Sequence, residues 1–177
     1  MTRSPAGALV AALLLAVVLA GCTPSPAPRP TPKETTMDAT QAHDEIDAVL
    51  SGAERVIGGS WQRLDSGAQF CTMAGGNKGA VFPFMRIGPG VPSAQRAAIL
   101  ASVTQQWTAA GFAPTALEGD TYDGVADSEL RYPASGYGTD GVYLSLQLSV
   151  NASSAEGQSR CIPGDADTIN EERQQNG

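Results

Sequence analysis

Between Gly141 and Val150 apolar and polar residues alternate without a break, Val142, Leu144, Leu146, Leu148 and Val150 against Tyr143, Ser145, Gln147 and Ser149. A period of two puts the first set on one face of a strand and the second on the other. Such a strand belongs to an antiparallel sheet with one buried face, and a second layer must cover that face. Two amphipathic segments supply the cover. Ala42, Ile46, Val49, Leu50, Ala53, Val56 and Ile57 recur at helical spacing behind the candidate N-caps Asp38 and Thr40, and the pattern stops at Gly58-Gly59. Ala97, Leu100, Val103, Trp107 and Ala110 form a second stripe between a Ser93 cap and a Gly111 stop, with Trp107 expected on the sheet.

The remaining strands read as Ser60 to Leu64 and Gln69 to Met73 across an Asp65-Ser66-Gly67 turn, then Ala80 to Ile87, where Pro83 indicates an edge or a bulge. Phe112 to Glu118 and Gly124 to Tyr132 precede the alternating strand. After Asn151 to Gly157, Cys161 is expected in a final hairpin or extended segment. The expected fold class is therefore α+β, in the order α-β-β-β-α-β-β-β, an antiparallel β-sheet with two helices packed on one face and one disulfide. The domain is expected over residues 37–164, and the polar residues 165–177 read as a frayed or disordered tail.

The chain ahead of this domain carries an address. Arg3 precedes an apolar run from Ala8 to Leu19, and Leu19-Ala20-Gly21-Cys22 resembles the lipobox of bacterial lipoprotein precursors. The run is shorter than the about 20 residues a spanning helix needs. Residues 1–21 are thus expected to be a cleaved signal peptide, with Cys22 as a lipidated mature N-terminus; two acyl chains would anchor it stably where one would not. Thr23 to Thr36, TPSPAPRPTPKETT, is a proline-dense spacer that favours extended polyproline II. These features predict a protein held by lipid on the outer face of a bacterial cell membrane. The net charge of −7 and the lack of a basic run argue against nucleic acid as a partner, and leave membrane contact to the lipid.

With Cys22 assigned to lipid, Cys71 and Cys161 remain as an even pair in an oxidising compartment, which predicts a disulfide. Two free thiols or a metal pair are the other states. A metal pair would need further ligands, and His43 is the only histidine.

The layout is similar to that of the LppA-like lipoproteins of mycobacteria and related actinobacteria. Cys22, Trp61, Cys71, the helix end QQWTAAGF from Gln105 to Phe112, Gly141 to Val150, and Cys161 carry the resemblance. It covers most of the mature chain in order and spacing, with few identical side chains. It implies a lipid-anchored α+β domain without an established enzymatic activity, and only the lipidated Cys22 is carried over as a functional position. The segment SRCIPGD around Cys161 departs from the family's approach to that cysteine.

No motif names a reaction. His43 beside Asp44 and Glu45 reads as an exposed residue at a helix start, unsuited to a triad, which needs an oriented imidazole. Asp120, Asp123, Asp127 and Glu129 cluster in DTYDGVADSE without the spacing of a calcium loop, and GGNKG lacks the pattern of a phosphate loop. No cofactor or metal is expected. Tyr122, Tyr132, Tyr137 and Tyr143 flank the strands; any ligand groove is expected on the sheet face away from the helices, where Tyr143, Ser145 and Gln147 point. The functional expectation is a non-enzymatic lipoprotein presenting its domain to an envelope protein, lipid or glycan. The alternative is an envelope hydrolase or metal-dependent enzyme using the Asp120 to Glu129 cluster.

Overall fold

Asp38 caps the first helix, α1 (Ala39–Ile57), by accepting from the Gln41 amide at 2.8 Å, while the Gln41 side chain accepts from the Asp38 amide at 3.2 Å. This reciprocal pair satisfies two donors that a helix start would otherwise leave open. The computed structural model describes residues 37–122, 125–138 and 140–176, with residues 119–122, 125, 126 and 176 described in backbone only. Cys22 and the rest of the anchor and spacer lie outside the described residues.

Trp61 closes the turn after α1 by donating its indole N–H to the Gly58 carbonyl at 3.0 Å. The chain continues through β1 (Gln62–Asp65), β2 (Gln69–Thr72), β3 (Lys78–Val81), β4 (Pro83–Pro89), α2 (Ser93–Ala109), β5 (Thr115–Tyr122), β6 (Val125–Tyr132), β7 (Tyr143–Leu148), β8 (Ala152–Gln158), β9 (Ile162–Pro163) and α3 (Ala166–Asn176). Six strands form one antiparallel sheet in the order β1-β4-β8-β7-β6-β5, and three form a second in the order β2-β3-β9. The α+β class, the antiparallel sheet and the disulfide stand as expected. α1 packs on β4 and β8, and α2 on β6, which covers one face of the large sheet. Leu130, Leu144, Leu146, Leu148, Val103 and Trp107 are fully enclosed between the layers.

Three features depart from the expected order. First, the single strand read over Ala80 to Ile87 is two strands in different sheets. The break is Phe82, fully buried, whose amide donates to Ser159 Oγ at 2.9 Å and whose carbonyl accepts from the Ser159 amide at 3.0 Å. Pro83 opens β4, a position where the missing N–H costs no ladder bond.

Second, the segment Asn151 to Gly157, which is not among the expected strands, supplies most of β8, which pairs with β4 on one side and β7 on the other. Its core-facing residues are Ser153, Ala155 and Gly157, so it lacks the apolar alternation that marks a strand. The small residues are required by α1. A Cβ at Gly157 would stand 2.7 Å from Ile46 Cγ2 and 3.2 Å from Leu50 Cδ1. Third, the expected disordered tail is a helix. α3 buries Ile169 against the small sheet, and Asn170 accepts from the Ala68 amide at 2.7 Å and donates to its carbonyl at 2.9 Å. One apolar anchor and one bidentate amide hold a sequence whose composition alone reads as polar.

The Cys71–Cys161 disulfide has a Cα separation of 6.1 Å and closes 90 positions of sequence. It passes over β3 at Gly79, where a Cβ would come within 2.7 Å of Cys161 Sγ and of the Ile162 carbonyl oxygen. In the chain-entropy model such a loop contributes up to about 4.6 kcal/mol. Replacing both cysteines by serine is expected to destabilise the fold by up to about that free energy and so lower Tm, and thermal denaturation of the oxidised protein against the double variant checks it.

Trp107 gives a second test. Its side chain is fully enclosed and, among the described residues, no group accepts from its indole N–H. Trp107→Ala should destabilise by about 3–5 kcal/mol through the cavity it leaves. Trp107→Phe should cost much less, since it removes an unsatisfied buried donor together with part of the ring. Urea unfolding of the two variants measures the difference.

Candidate functional site

The register of the large sheet determines what its uncovered face displays. One cross-strand row runs Leu64, Met85, Glu156, Ser145, Arg131 over β1, β4, β8, β7 and β6. The next row toward one end runs Pro83, Gln158, Tyr143, and toward the other Gln62, Ile87, Ser154, Gln147, Glu129. Since directly paired residues share a face, these rows form a surface pointing away from α1 and α2. The apolar side chains gather on the β1 and β4 side, where Leu64, Met85 and Ile87 are each about 40% exposed.

A cleft of about 300 Å³ opens on this face, its lining including Leu64, Ser66, Gln69, Pro83, Met85, Tyr137, Tyr143, Glu156 and Gln158. Tyr137, 65% exposed, leans on Tyr143 with ring centroids 5.2 Å apart and planes 42° apart. Of the three positions expected in a groove, Tyr143 lines this cleft. Ser145 lies beside it, buried, and donates to Glu129 Oε1 at 3.1 Å. Gln147 is on the same face but exposed and outside the cleft. Sequence reading missed Leu64, Met85 and Glu156, which come from three strands separated by long connections. The alternation Ser154, Glu156, Gln158 within β8 was the available signal.

Glu129 is buried and its carboxylate is engaged by Arg131, 2.6 Å away, as well as by Ser145. Its hydrogen bond to Arg131, aided by Tyr143, holds that guanidinium above its ordinary value despite partial burial. Of the other acids in the suspected cluster, Asp127 stands on β6, Asp120 is described in backbone only and Asp123 lies outside the described residues. Among the described residues no three His, Cys, Asp or Glu side chains converge on a point that could hold a metal ion. Tyr132 packs edge-on against Phe112 at 5.2 Å. A second, largely apolar cleft of about 370 Å³ lies between α1 and α2, lined chiefly by Val49, Gly52, Gln106, Trp107 and Ala110.

His43 is not the exposed residue its position suggested. Its side chain is 15% exposed, with its ring 5.4 Å from Phe82 and 5.0 Å from Phe84. Nδ1 meets Asp44 Oδ1 at 3.0 Å, and Nε2 lies 3.2 Å from Asp65 Oδ2 and 3.1 Å from an Arg173 guanidinium nitrogen. Both ring nitrogens are engaged, so the imidazole ties α1, β1 and α3 together and has no nitrogen left to activate a nucleophile. On the neighbouring stretch of α1, Arg86 from β4, with its side chain 3% exposed, is held by Asp47 and by Glu54 at 2.8 Å, and Glu54 also holds Arg63 at 2.6 Å.

An α+β domain whose large sheet is covered on one face and open on the other is the class of protein this geometry defines. No protein-family model matches the chain, and no curated protein matches it. Among solved structures, the crystal structure of a DUF4853 family protein from Actinomyces odontolyticus ATCC 17982 is similar, at 12% identity and a TM-score of 0.48, over 77% of this chain and 74% of that one.

Asp65 yields a pH prediction. Burial pushes its carboxyl up, but the Gly67 amide, His43 and Arg173 together outweigh burial and hold it below its ordinary 3.8. A carboxyl lowered in the folded state contributes stability above its unfolded value and loses it as pH falls through the folded one. Asp65→Asn should therefore be less stable than the parent at pH 7, with the gap narrowing as pH falls below about 4. Urea midpoints measured across that range check the convergence.

Proposed function

We propose that this protein is a lipid-anchored lipoprotein on the outer face of the bacterial cell membrane, non-enzymatic, that presents its α+β domain as a binding module through the open face of the large sheet. The observation that carries the reading is the cleft between Leu64, Met85, Tyr143 and Glu156, set in an exposed apolar patch that neither α1 nor α2 covers. Ligand sites are concave, largely apolar and furnished with a few polar groups, and this cleft fits that description. The disulfide supports an extracytoplasmic address, because such bonds persist where the surroundings are oxidising. The lipobox-like Leu19 to Cys22 segment and the layout similar to LppA-like lipoproteins support the anchor. The binding reading is favoured over the hydrolase because His43 and Glu129 are both spent on structural partners.

Two measurements test the proposal. In an actinobacterial host the full chain should fractionate with membranes, its mature N-terminus at Cys22 carrying acyl mass, and Cys22→Ala should abolish both. Unchanged membrane partition of that variant, with normal maturation, would remove the anchor. A photo-crosslinking residue at Ile87 should capture an envelope component that the same residue at Gln105, on the exposed side of α2, does not. Equal capture at both positions would count against the open face as the binding surface.

A further inference from the structure

We infer that the open-face cleft binds a small organic cation, an alkylammonium head on an apolar stem, between the Glu156 carboxylate and the rings of Tyr137 and Tyr143. The inference deepens the reading of this face as the binding surface and rests on it.

Glu45, Asp47, Glu54 and Glu129 are partly or wholly buried, and each holds an arginine. Glu156 is also partly buried, in the middle of a sheet face, yet among the described residues no cation and no hydrogen-bond donor reaches its carboxylate. The nearest arginine along its row is Arg131, two strands away across Ser145, and that guanidinium is committed to Glu129. A carboxylate without a counter-charge, lining a cleft with apolar walls, focuses a negative potential there and favours the arrival of a cation.

The surroundings of Glu156 select among counter-charges. Met85 pairs directly with it on β4, and Leu64 continues the row, so one wall is apolar. A strongly hydrated inorganic ion would gain nothing from that wall and would find one carboxylate where calcium takes six to eight oxygens. Tyr137 and Tyr143 stand at the other side with their planes 42° apart. Their centroids lie 5.2 Å apart, so the two rings pack against each other and offer an aromatic surface, which attracts a compact cation. A positively charged head between the rings and Glu156, with a stem along Met85 and Leu64, meets the acidic, aromatic and apolar parts of the lining. The volume of about 300 Å³ suits a small molecule of this kind. The net charge of −7 favours the approach of cations over anions.

The test uses n-hexylammonium as the probe, with 1-hexanol and hexanoate as neutral and anionic counterparts, titrated into the full chain labelled at its methionine methyls. Met85 is one of four methionines, so its methyl signal, assigned through Met85→Leu, reports on the cleft. Hexylammonium should shift that signal saturably, hexanol about tenfold more weakly, and hexanoate not at all. Glu156→Gln should weaken hexylammonium about tenfold and leave hexanol unchanged, while Glu156→Asp, which keeps the charge, should recover part of the loss. Tyr143→Phe should bind as the parent does, and Tyr143→Ala should not. Equal binding of hexanol and hexylammonium, indifferent to Glu156→Gln, would overturn the cation assignment and leave an apolar groove. If no probe moves the Met85 methyl, the cation assignment fails, while the crosslink at Ile87 decides separately whether this face is the binding surface.

Discussion

The rest of the structure depends on how closely α1 lies against the centre of the large sheet. Ile46 and Leu50 press onto β8 at Gly157, and there is no room for a side chain between them. Close packing at native density leaves such a contact no tolerance for an added methyl group. The same helix reaches β4 and β1 through charge: Asp47 and Glu54 grip Arg86, and Glu54 holds Arg63. Breaking a buried pair by removing one partner is costly, because the surviving charge is left in a poor solvent. Apolar contact and ionic contact thus fix one helix over three strands. The register of those strands in turn brings Leu64, Met85 and Glu156 into line on the opposite face. The cleft is therefore an indirect product of packing on the side it does not share.

A second set of contacts joins the small sheet and the terminal helix to this core. The chain leaves the large sheet after β1, forms β2 and β3, and returns at Phe82, whose backbone is held on both sides by Ser159. His43 sits where α1, β1 and α3 meet, against Phe82 and Phe84, and Arg173 lies over the Phe82 ring at 5.2 Å. An imidazole with both nitrogens engaged in this way is a structural joint, and its position early in α1 hid that role.

The sequence disclosed those parts of the fold whose signal is local. The α1 stripe, its Asp38 cap and the β7 alternation from Val142 to Leu148 appear where periodicity put them, whereas α2 keeps only Val103 and Trp107 of its stripe buried. Ala97 and Ala110 are exposed, Arg96 is buried instead, and Pro92 rather than Ser93 stands at the cap, with no side-chain bond. The losses share one cause. β8 carries Ser153, Ala155 and Gly157 toward the core because α1 stands so near, and a strand selected for smallness has no hydrophobic rhythm. α3 depends on Ile169 and Asn170 reaching across to the small sheet, contacts that no window of local sequence contains. The cleft was half legible for the same reason. Tyr143 could be placed on the outer face of its own strand, whereas its neighbours are set by pairings among β1, β4 and β8. Long-range register, not composition, assembles the site.

The position of the disulfide has a consequence for how the domain meets proteases. Five of the six strands of the large sheet, together with α2 and β3, lie between Cys71 and Cys161, and the bridge closes that stretch into a covalent ring. Any single cut within the ring turns one chain into two pieces that stay joined, with α1 and α3 on opposite pieces and still attached through the bridge. Shedding a fragment would need a second cut or a reductant, so the fold has a tolerance of nicking that its modest size would not otherwise supply.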